Sequence, residues 1–413
     1  LDEMVHVASE MQRKKLHYPL LIGGATTSKI HTAVKIAPKY EQPVIHVIDA
    51  SRTVPVVSRL LADKENFAQE IDAEYSRLSE KYSKKKPVKY VSLAEARKNK
   101  FSIRWSKSDV YEPEFTGVKV FDDYSLEELR EYIDWTFFFH AWELNGKYPQ
   151  IFDHPQKGEQ AKKLYHDAQH FLDKIIKQKM LTAKGIFGLF PANSVGDDIE
   201  IYTDDNRNEV KTTFRHLRQQ NVRQEYSHFF CLSDFVAPRS SGLNDYIGTF
   251  AVTAGIGIEN RIDYYKKNND DYAGILLKLL ADRLAEAFAE RLHERVRKEF
   301  WAYSKDEQFT NEELIKVKYQ GIRPALGYPA CPEHSEKQPL FGLMDVEKNI
   351  GISLTEHFAM YPTASVCGQY FAHAKSQYFN LGRLTKEQVA DYAERKNTDI
   401  TFIEKLISPY LAY

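Results

Sequence analysis

The chain has 413 residues, 43% of them hydrophobic and 28% charged, with 57 Lys and Arg against 58 Asp and Glu. That is material for two or three domains at about 150 residues each, and a formal charge of −1 speaks against a nucleic-acid footprint, which shows as a basic excess. No apolar run approaches the ~18 residues of a membrane span, and Cys231, Cys331 and Cys367 are odd in number and widely spaced, which argues against a disulfide framework or a structural zinc site and for a cytoplasmic compartment.

The chain opens Leu-Asp-Glu-Met, without an initiator Met or the charged and apolar regions of a signal peptide, as a piece of a longer protein would. Leu20 to Ile22 reads as a buried strand closed by Gly23-Gly24. The pattern from Ser28 to Lys39 predicts a helix with Ile30, Ala33, Val34 and Ile36 inward. Val44 to Ile48 is a second strand, ending at Asp49-Ala50-Ser51, and Val54, Val57, Leu60 and Leu61 mark the inward face of the helix after it. Strands alternating with helices imply a parallel sheet under right-handed crossovers, of which two strands are a fragment. Residues 63–86 are dense in charge and end at Lys84-Lys85-Lys86-Pro87, the pattern of an amphipathic helix followed by an exposed linker.

From residue 109 the pattern becomes α+β. Helices are expected over 126–135 and 160–179, strands over 185–190 (ending at Pro191), 198–202 and 246–253, with Asp204-Asp205-Asn206 as a turn into Glu209-Val210. The longest helix is expected over 271–300, where Leu276, Leu280, Leu284, Phe288, Leu292 and Val296 recur every four residues. Helices segregated from hairpins favour a mostly antiparallel sheet flanked by helices. The domain reading is therefore 1–76 as an incomplete parallel α/β unit of flavodoxin-like (Rossmann-like) type, 77–108 as charged helix and linker, and 109–413 as one large α+β domain.

Gly255-Ile256-Gly257-Ile258-Glu259-Asn260 lacks the third glycine of a dinucleotide fingerprint. Cys331-Pro332-Glu333-His334 has no second ligand pair nearby for a metal, and its thiol and imidazole need not be oriented as nucleophile and base. Gly23-Gly24 either lets a ligand approach the carboxyl end of a parallel strand or only makes a tight turn. The non-helical segment Tyr319 to Pro329 gathers Arg323, rigid prolines, permissive glycines and the aromatic Tyr328. Loops of this kind favour function: Arg323 either holds a carboxylate bidentately or pairs with a surface acid. Asp282 and Glu286 share one face of the long helix at i,i+4.

Gly-Gly-Ala-Thr-Thr-Ser-Lys at 23–29, Asp49 to Val54, Asp134-Trp135-Thr136, Pro191-Ala192-Asn193 with Asp197 to Glu200, Asp234 to Pro238 and Arg323 to His334 together resemble the cobalamin-dependent methionine synthases, in order and over essentially the whole chain. The resemblance is to their C-terminal part: the end of the cobalamin-binding domain, then the S-adenosylmethionine-binding reactivation domain. It implies cobalamin contacts at Gly23, Gly24 and Ala50, with the cobalt-ligating histidine motif upstream of Leu1 and the cobalamin site incomplete. It implies S-adenosylmethionine contacts at Asp134, Glu286, Arg323, Ala325, Tyr328, Tyr378 and Phe379. Leu326 stands where a proline is common and Phe379 where a tyrosine can occur; neither change removes a charge.

That ligand carries a carboxylate, an ammonium and a sulfonium. Arg323 suits the first, Asp134 and Glu286 the second, and Tyr328 and Tyr378 can offer aromatic faces to the third. The implied reaction is methyl transfer to cobalamin after reduction by a flavodoxin-like electron donor. It needs positioning and domain motion but no protein acid or base, so no residue is assigned to catalysis and no metal is expected. The implied partners are the enzyme's upstream domains and the reductant, with no nucleic acid or membrane. The competing reading is a docking module for flavodoxin and the cobalamin domain, inactive in isolation. A Rossmann-type methyltransferase is disfavoured by the lack of a glycine-rich first βα turn.

Overall fold

The computed structural model describes residues 2–23, 27–47, 53–83, 88–222 and 227–413. The chain forms two compact units, 1–88 and 89–413.

In the smaller unit α1 (Asp2–Arg13) precedes β1 (Leu20–Gly23), and β2 (Val44–Val47) runs parallel to it, with Leu20 opposite Val44 and Gly23 opposite Val47. Parallel strands need a crossover. Here it is helical: the Ser28 hydroxyl accepts from the His31 N–H at 3.2 Å to cap α2 (Lys29–His31), which continues through a π turn at Thr32–Ile36. Because successive strand residues face opposite ways, Ile22 and Val44 join Ala8, Ile36 and Tyr40 in one small core, and Ile45 joins Leu60 and Phe67 in another.

Two inward faces differ from the sequence pattern. Ala33 and Ile36 are buried, but Ile30 is exposed and Thr32 is buried, its hydroxyl donating to the Ser28 carbonyl; the π turn shifts the face that a 3.6-residue period assumes. On α3 (Thr53–Ala62) only Leu60 is buried, whereas Val54, Val57 and Leu61 are exposed, because a two-stranded sheet covers only one line of residues along a helix. The long charged helix α4 (Lys64–Ser83) turns Phe67 and Tyr75 inward, and the Tyr75 hydroxyl accepts from the His46 N–H at 2.9 Å.

In the larger unit α5 (Leu93–Lys98) is followed by β3 (Gly117–Tyr124), α6 (Leu126–Arg130), α7 (Trp135–Ala141) and α8 (Gly158–Lys177), then by β4 (Thr182–Val195), β5 (Asp198–Tyr202), β6 (Val210–Arg215) and β7 (Asp245–Ile256). After these come α9 (Ile258–Lys267), α10 (Asp271–Arg295), α11 (Asn311–Ile315), α12 (Lys337–Met344), α13 (Val346–Ile350), the two-residue pair β8 (Ser353–Leu354) and β9 (Met360–Tyr361), β10 (Ser365–Tyr370), α14 (Lys386–Arg395) and α15 (Ile400–Leu406). The sheet is antiparallel in the order β10-β7-β4-β5-β6, with β3 also on β4. One face buries the leucine and alanine ridge of α10 with α7 and α8, and the other buries residues of α12, α13 and α14. Covered on both faces, β7 is buried at every residue from Asp245 to Gly255 instead of alternating.

Three expected boundaries move. The helix expected over 126–135 breaks after Arg130, and Asp134 begins a new one as its cap. The strand expected to stop at Pro191 runs on to Val195; β3 leaves the outer edge of β4 at Leu189 and β5 joins it at Ala192, so on that side Pro191 interrupts no ladder. Within the segment read as helix and linker, residues from 89 on belong to the larger unit. Val91 N–H donates to the Gln220 carbonyl at 2.9 Å, Leu93 and Ala96 are buried, and Arg97 bonds both Asp197 and Asp391 at 2.7 Å.

Candidate functional site

The site is built where an irregular loop lies against the edge strand β10. Ile322 and Phe371 exchange backbone hydrogen bonds at 3.0 Å, Gln369 N–H donates to the Pro324 carbonyl at 3.1 Å, and Leu326 N–H donates to the Cys367 carbonyl at 3.3 Å. Gly368 permits this approach, since a Cβ there would lie 2.5 Å from the Pro324 oxygen. Gly327, at φ +99°, turns the loop over His334; a Cβ would lie 2.6 Å from the imidazole and would strain the backbone as well.

Between this loop and α10 opens a cavity of about 430 Å³, in the size range of small-molecule clefts. Its sheet side is Phe250 and Val366, its helix side Glu286, its loop side Arg323 to Ala325 with Tyr328 to Ala330, and Tyr378, Phe379 and Asn380 close the remaining side. Six of the seven residues singled out in the sequence, Glu286, Arg323, Ala325, Tyr328, Tyr378 and Phe379, thus face one space. Asp134 does not line it. Its carboxylate caps α7, accepting from the Thr136 N–H at 2.9 Å, while Phe137 of the same helix lies 5.9 Å from the Arg283 guanidinium on α10. Asp134 therefore stands at the start of a helix that packs beside the Asp282 to Glu286 turn.

One acid, Glu286, and one arginine, Arg323, line the cavity. Asp282, Glu286 and Glu290 follow each other at four-residue spacing on α10. Burial pushes the Asp282 and Glu286 carboxyls above their ordinary values, and for Glu286 the negative neighbours Asp282 and Glu290 add to the push. The Glu286 charge, then burial, raises the Tyr328 phenol. Arg323 is not free at its end. Nη1 and Nη2 donate to the two Glu290 oxygens at 3.0 and 2.6 Å, and Nη1 also donates to the Tyr319 hydroxyl at 2.6 Å. The surface acid weighed against a ligand carboxylate is thus a largely buried helix residue that the sequence reading did not single out. Tyr378 is fixed by accepting the Arg323 backbone N–H at 3.0 Å, and Phe379 by stacking on Phe230 with centroids 5.5 Å apart. Leu326 points instead into the core under the sheet.

The remaining candidates have structural settings. The thiol of Cys331 is buried, and burial followed by the Glu336 and Glu333 charges raises its pKa; Glu333 is tied to Lys396 at 3.1 Å and to the Tyr392 hydroxyl at 3.0 Å. Among the described residues no group of three His, Cys, Asp or Glu side chains is placed to hold a metal ion. Gly257 ends β7 and caps α9 at φ +90°. Of the cobalamin positions, Gly24 and Ala50 lie outside the described residues. At Gly23, paired with Val47 across β1 and β2, a Cβ would meet the Val47 carbonyl at 3.2 Å.

Residues 125–397 match the family model described as vitamin B12 dependent methionine synthase, activation domain. The chain belongs to this family. It is also similar to a crystal structure of the MetH reactivation domain bound to AdoHcy, at 49% identity and a TM-score of 0.76, over 78% of this chain and 99% of that one. The larger unit is thus the reactivation domain of a methionine synthase, an α+β domain in a methyltransferase whose other domains are its partners. No helix among the described residues is long and apolar enough to cross a membrane.

Proposed function

We propose that the cavity between α10 and the 321–331 loop binds S-adenosylmethionine and holds its methyl group for transfer to cobalamin during reactivation. The observation that carries this reading is the convergence of Glu286, Arg323 and Tyr378, from three separated segments, on one cavity in a chain half identical to a domain bound to AdoHcy. Arg323 receives the carboxylate. Glu286 receives the ammonium, helped by the negative field of Asp282, and Asp134 acts from the neighbouring helix. The Pro324 to Tyr328 backbone and Phe379 hold the adenosine, with Tyr328 and Tyr378 about the sulfonium.

Bound cobalamin supplies the acceptor for the methyl; the residues of this chain bind the donor, orient it and keep it in place. No step is routed through residues 1–88, of which 1–76 correspond in this reading to the end of the cobalamin-binding domain, with the reactivation domain in the unit spanning 89–413. The chain alone turns over no substrate, and a flavodoxin-like protein supplies the electron.

Calorimetric titration of the 413-residue chain with S-adenosylmethionine tests the reading. One site is expected, and Glu286→Gln should weaken it by about 1.5 kcal/mol, the lower end for a charge-assisted hydrogen bond. The reading fails if no heat is seen or if Glu286→Gln binds as tightly as the parent.

A further inference from the structure

We propose that Glu290 is a positioning residue for the ligand carboxylate: by gripping the end of Arg323 it turns the guanidinium so that its Nε edge meets the ligand. This deepens the proposed function and rests on it. A guanidinium has five N–H donors and two edges on which a carboxylate can sit bidentately, the Nη1–Nη2 end and the Nε–Nη2 side. In this structure the end is taken, by Glu290 at 3.0 and 2.6 Å. Nε has no hydrogen-bond partner among the described residues and is not sealed from solvent, and Arg323 lines the cavity. The side is therefore the edge left for a ligand.

The grip is itself held. Glu290 is 7% exposed and lies on α10, one turn beyond Glu286. The Tyr319 hydroxyl accepts from Nη1 at 2.6 Å, and His293 Nδ1 stands 3.4 Å from the same nitrogen. Since arginine can only donate, His293 carries its proton on Nε2, which faces the Tyr303 hydroxyl at 3.3 Å. The imidazole stacks on Tyr370 with centroids 4.9 Å apart and an angle of 10°. Burial, then the Arg297 and Arg323 charges, hold His293 neutral, so it adds no cation to compete with Arg323.

Two roles for Glu290 predict opposite signs. If it only neutralises Arg323, removing its charge strengthens carboxylate binding through the unmasked cation. If it aims Arg323, removing it releases a flexible side chain from the useful orientation and weakens binding. In Glu290→Gln an amide N–H₂ faces the guanidinium N–H groups and turns the fork away, although the side-chain shape is kept.

The full chain is titrated with S-adenosylhomocysteine and, as a second probe, with 5′-methylthioadenosine, which keeps adenosine and sulfur but lacks the amino-acid arm. Glu290→Gln should weaken S-adenosylhomocysteine by about tenfold or more and leave 5′-methylthioadenosine unchanged. In an Arg323→Gln background it should cost nothing further, the coupling expected of a residue acting through another. Unchanged or tighter S-adenosylhomocysteine binding overturns the proposal, as does an equal loss for both probes, which would mean the cavity has merely deformed. A parent chain that binds neither probe refutes the proposed function itself. A parent that binds while Glu290→Gln is silent refutes only the role of Glu290.

Discussion

Gly368→Ala adds one methyl group at the point where the ligand loop rests on β10. The new Cβ would lie 2.5 Å from the Pro324 oxygen, 3.0 Å from Phe250 and 3.1 Å from the Ala325 Cα. Ordinary contact begins near ~3.5 Å, so the loop must retreat by about 1 Å. That retreat breaks the 3.1 Å bond from Gln369 N–H to Pro324 and the 3.3 Å bond from Leu326 N–H to Cys367. Overpacking costs about 1–3 kcal/mol and each lost bond about 1 kcal/mol. Against this, alanine restricts the unfolded chain by about 0.4–1 kcal/mol, too little to change the sign. A net loss of about 2–4 kcal/mol corresponds to about 3–6 °C in Tm for the unit spanning 89–413, at ~2.1 cal/mol/K per residue. Because Pro324 and Ala325 line the cavity, S-adenosylhomocysteine affinity should fall by about tenfold or more, as expected for a contact moved by about 1 Å. Calorimetry and thermal unfolding check both effects. A variant with unchanged Tm and unchanged affinity would refute the claim that the loop's seat on β10 shapes the site.

Arg218 is 1% exposed and donates to Asp197 at 2.7 Å and to both oxygens of Asp234 at 2.8 Å; Arg218→Met leaves Asp234 buried without its cation and should cost about 3–5 kcal/mol in urea unfolding, with ligand affinity of the folded fraction unaltered because none of the three lines the cavity. His216 is buried, neither ring nitrogen has a hydrogen-bond partner among the described residues, and burial lowers its pKa to about 3. The unfolded chain takes up that proton below about pH 6.5 and the folded chain does not, so stability is lost as pH falls from about 6.5 towards 3, at about 1.4 kcal/mol per pH unit. His216→Leu should recover about 2–3 kcal/mol of the difference between pH 7 and pH 4.5 in urea midpoints; an unchanged difference would mean that His216 is not held neutral.

Much of this was legible in the sequence because it is local. The ridge from Leu276 to Val296, recurring every four residues, fixes the α10 face and so places Glu286 beside Asp282, and the glycines and prolines of 321–329 mark a loop that cannot be helical. What was not legible depends on register between distant strands. Phe250 and Val366 line the cavity only because β7 and β10 pair with Phe250 opposite Gly368, a relation with no local signature. Glu290 was hidden in the same way: on the helix it is one more acid, and only the fold brings it under Arg323, 33 residues along the chain. Asp134 was misplaced as the last turn of a helix because Leu126 to Trp135 carries no glycine or proline to announce the break that its capping carboxylate exploits. On α3, Val54 and Leu61 have the period of an inward face, but a two-stranded sheet offers them nothing to pack against.

A crystal structure of the 413-residue chain with S-adenosylhomocysteine tests most directly where an S-adenosyl ligand sits. The predicted result is a carboxylate on the Nε edge of Arg323 with Glu290 still on the other end, an amino group at Glu286, and adenosine between the Pro324 to Tyr328 loop and Phe379. Ligand density elsewhere on the larger unit, or a carboxylate seated on the Nη1–Nη2 end with Glu290 displaced, would contradict it.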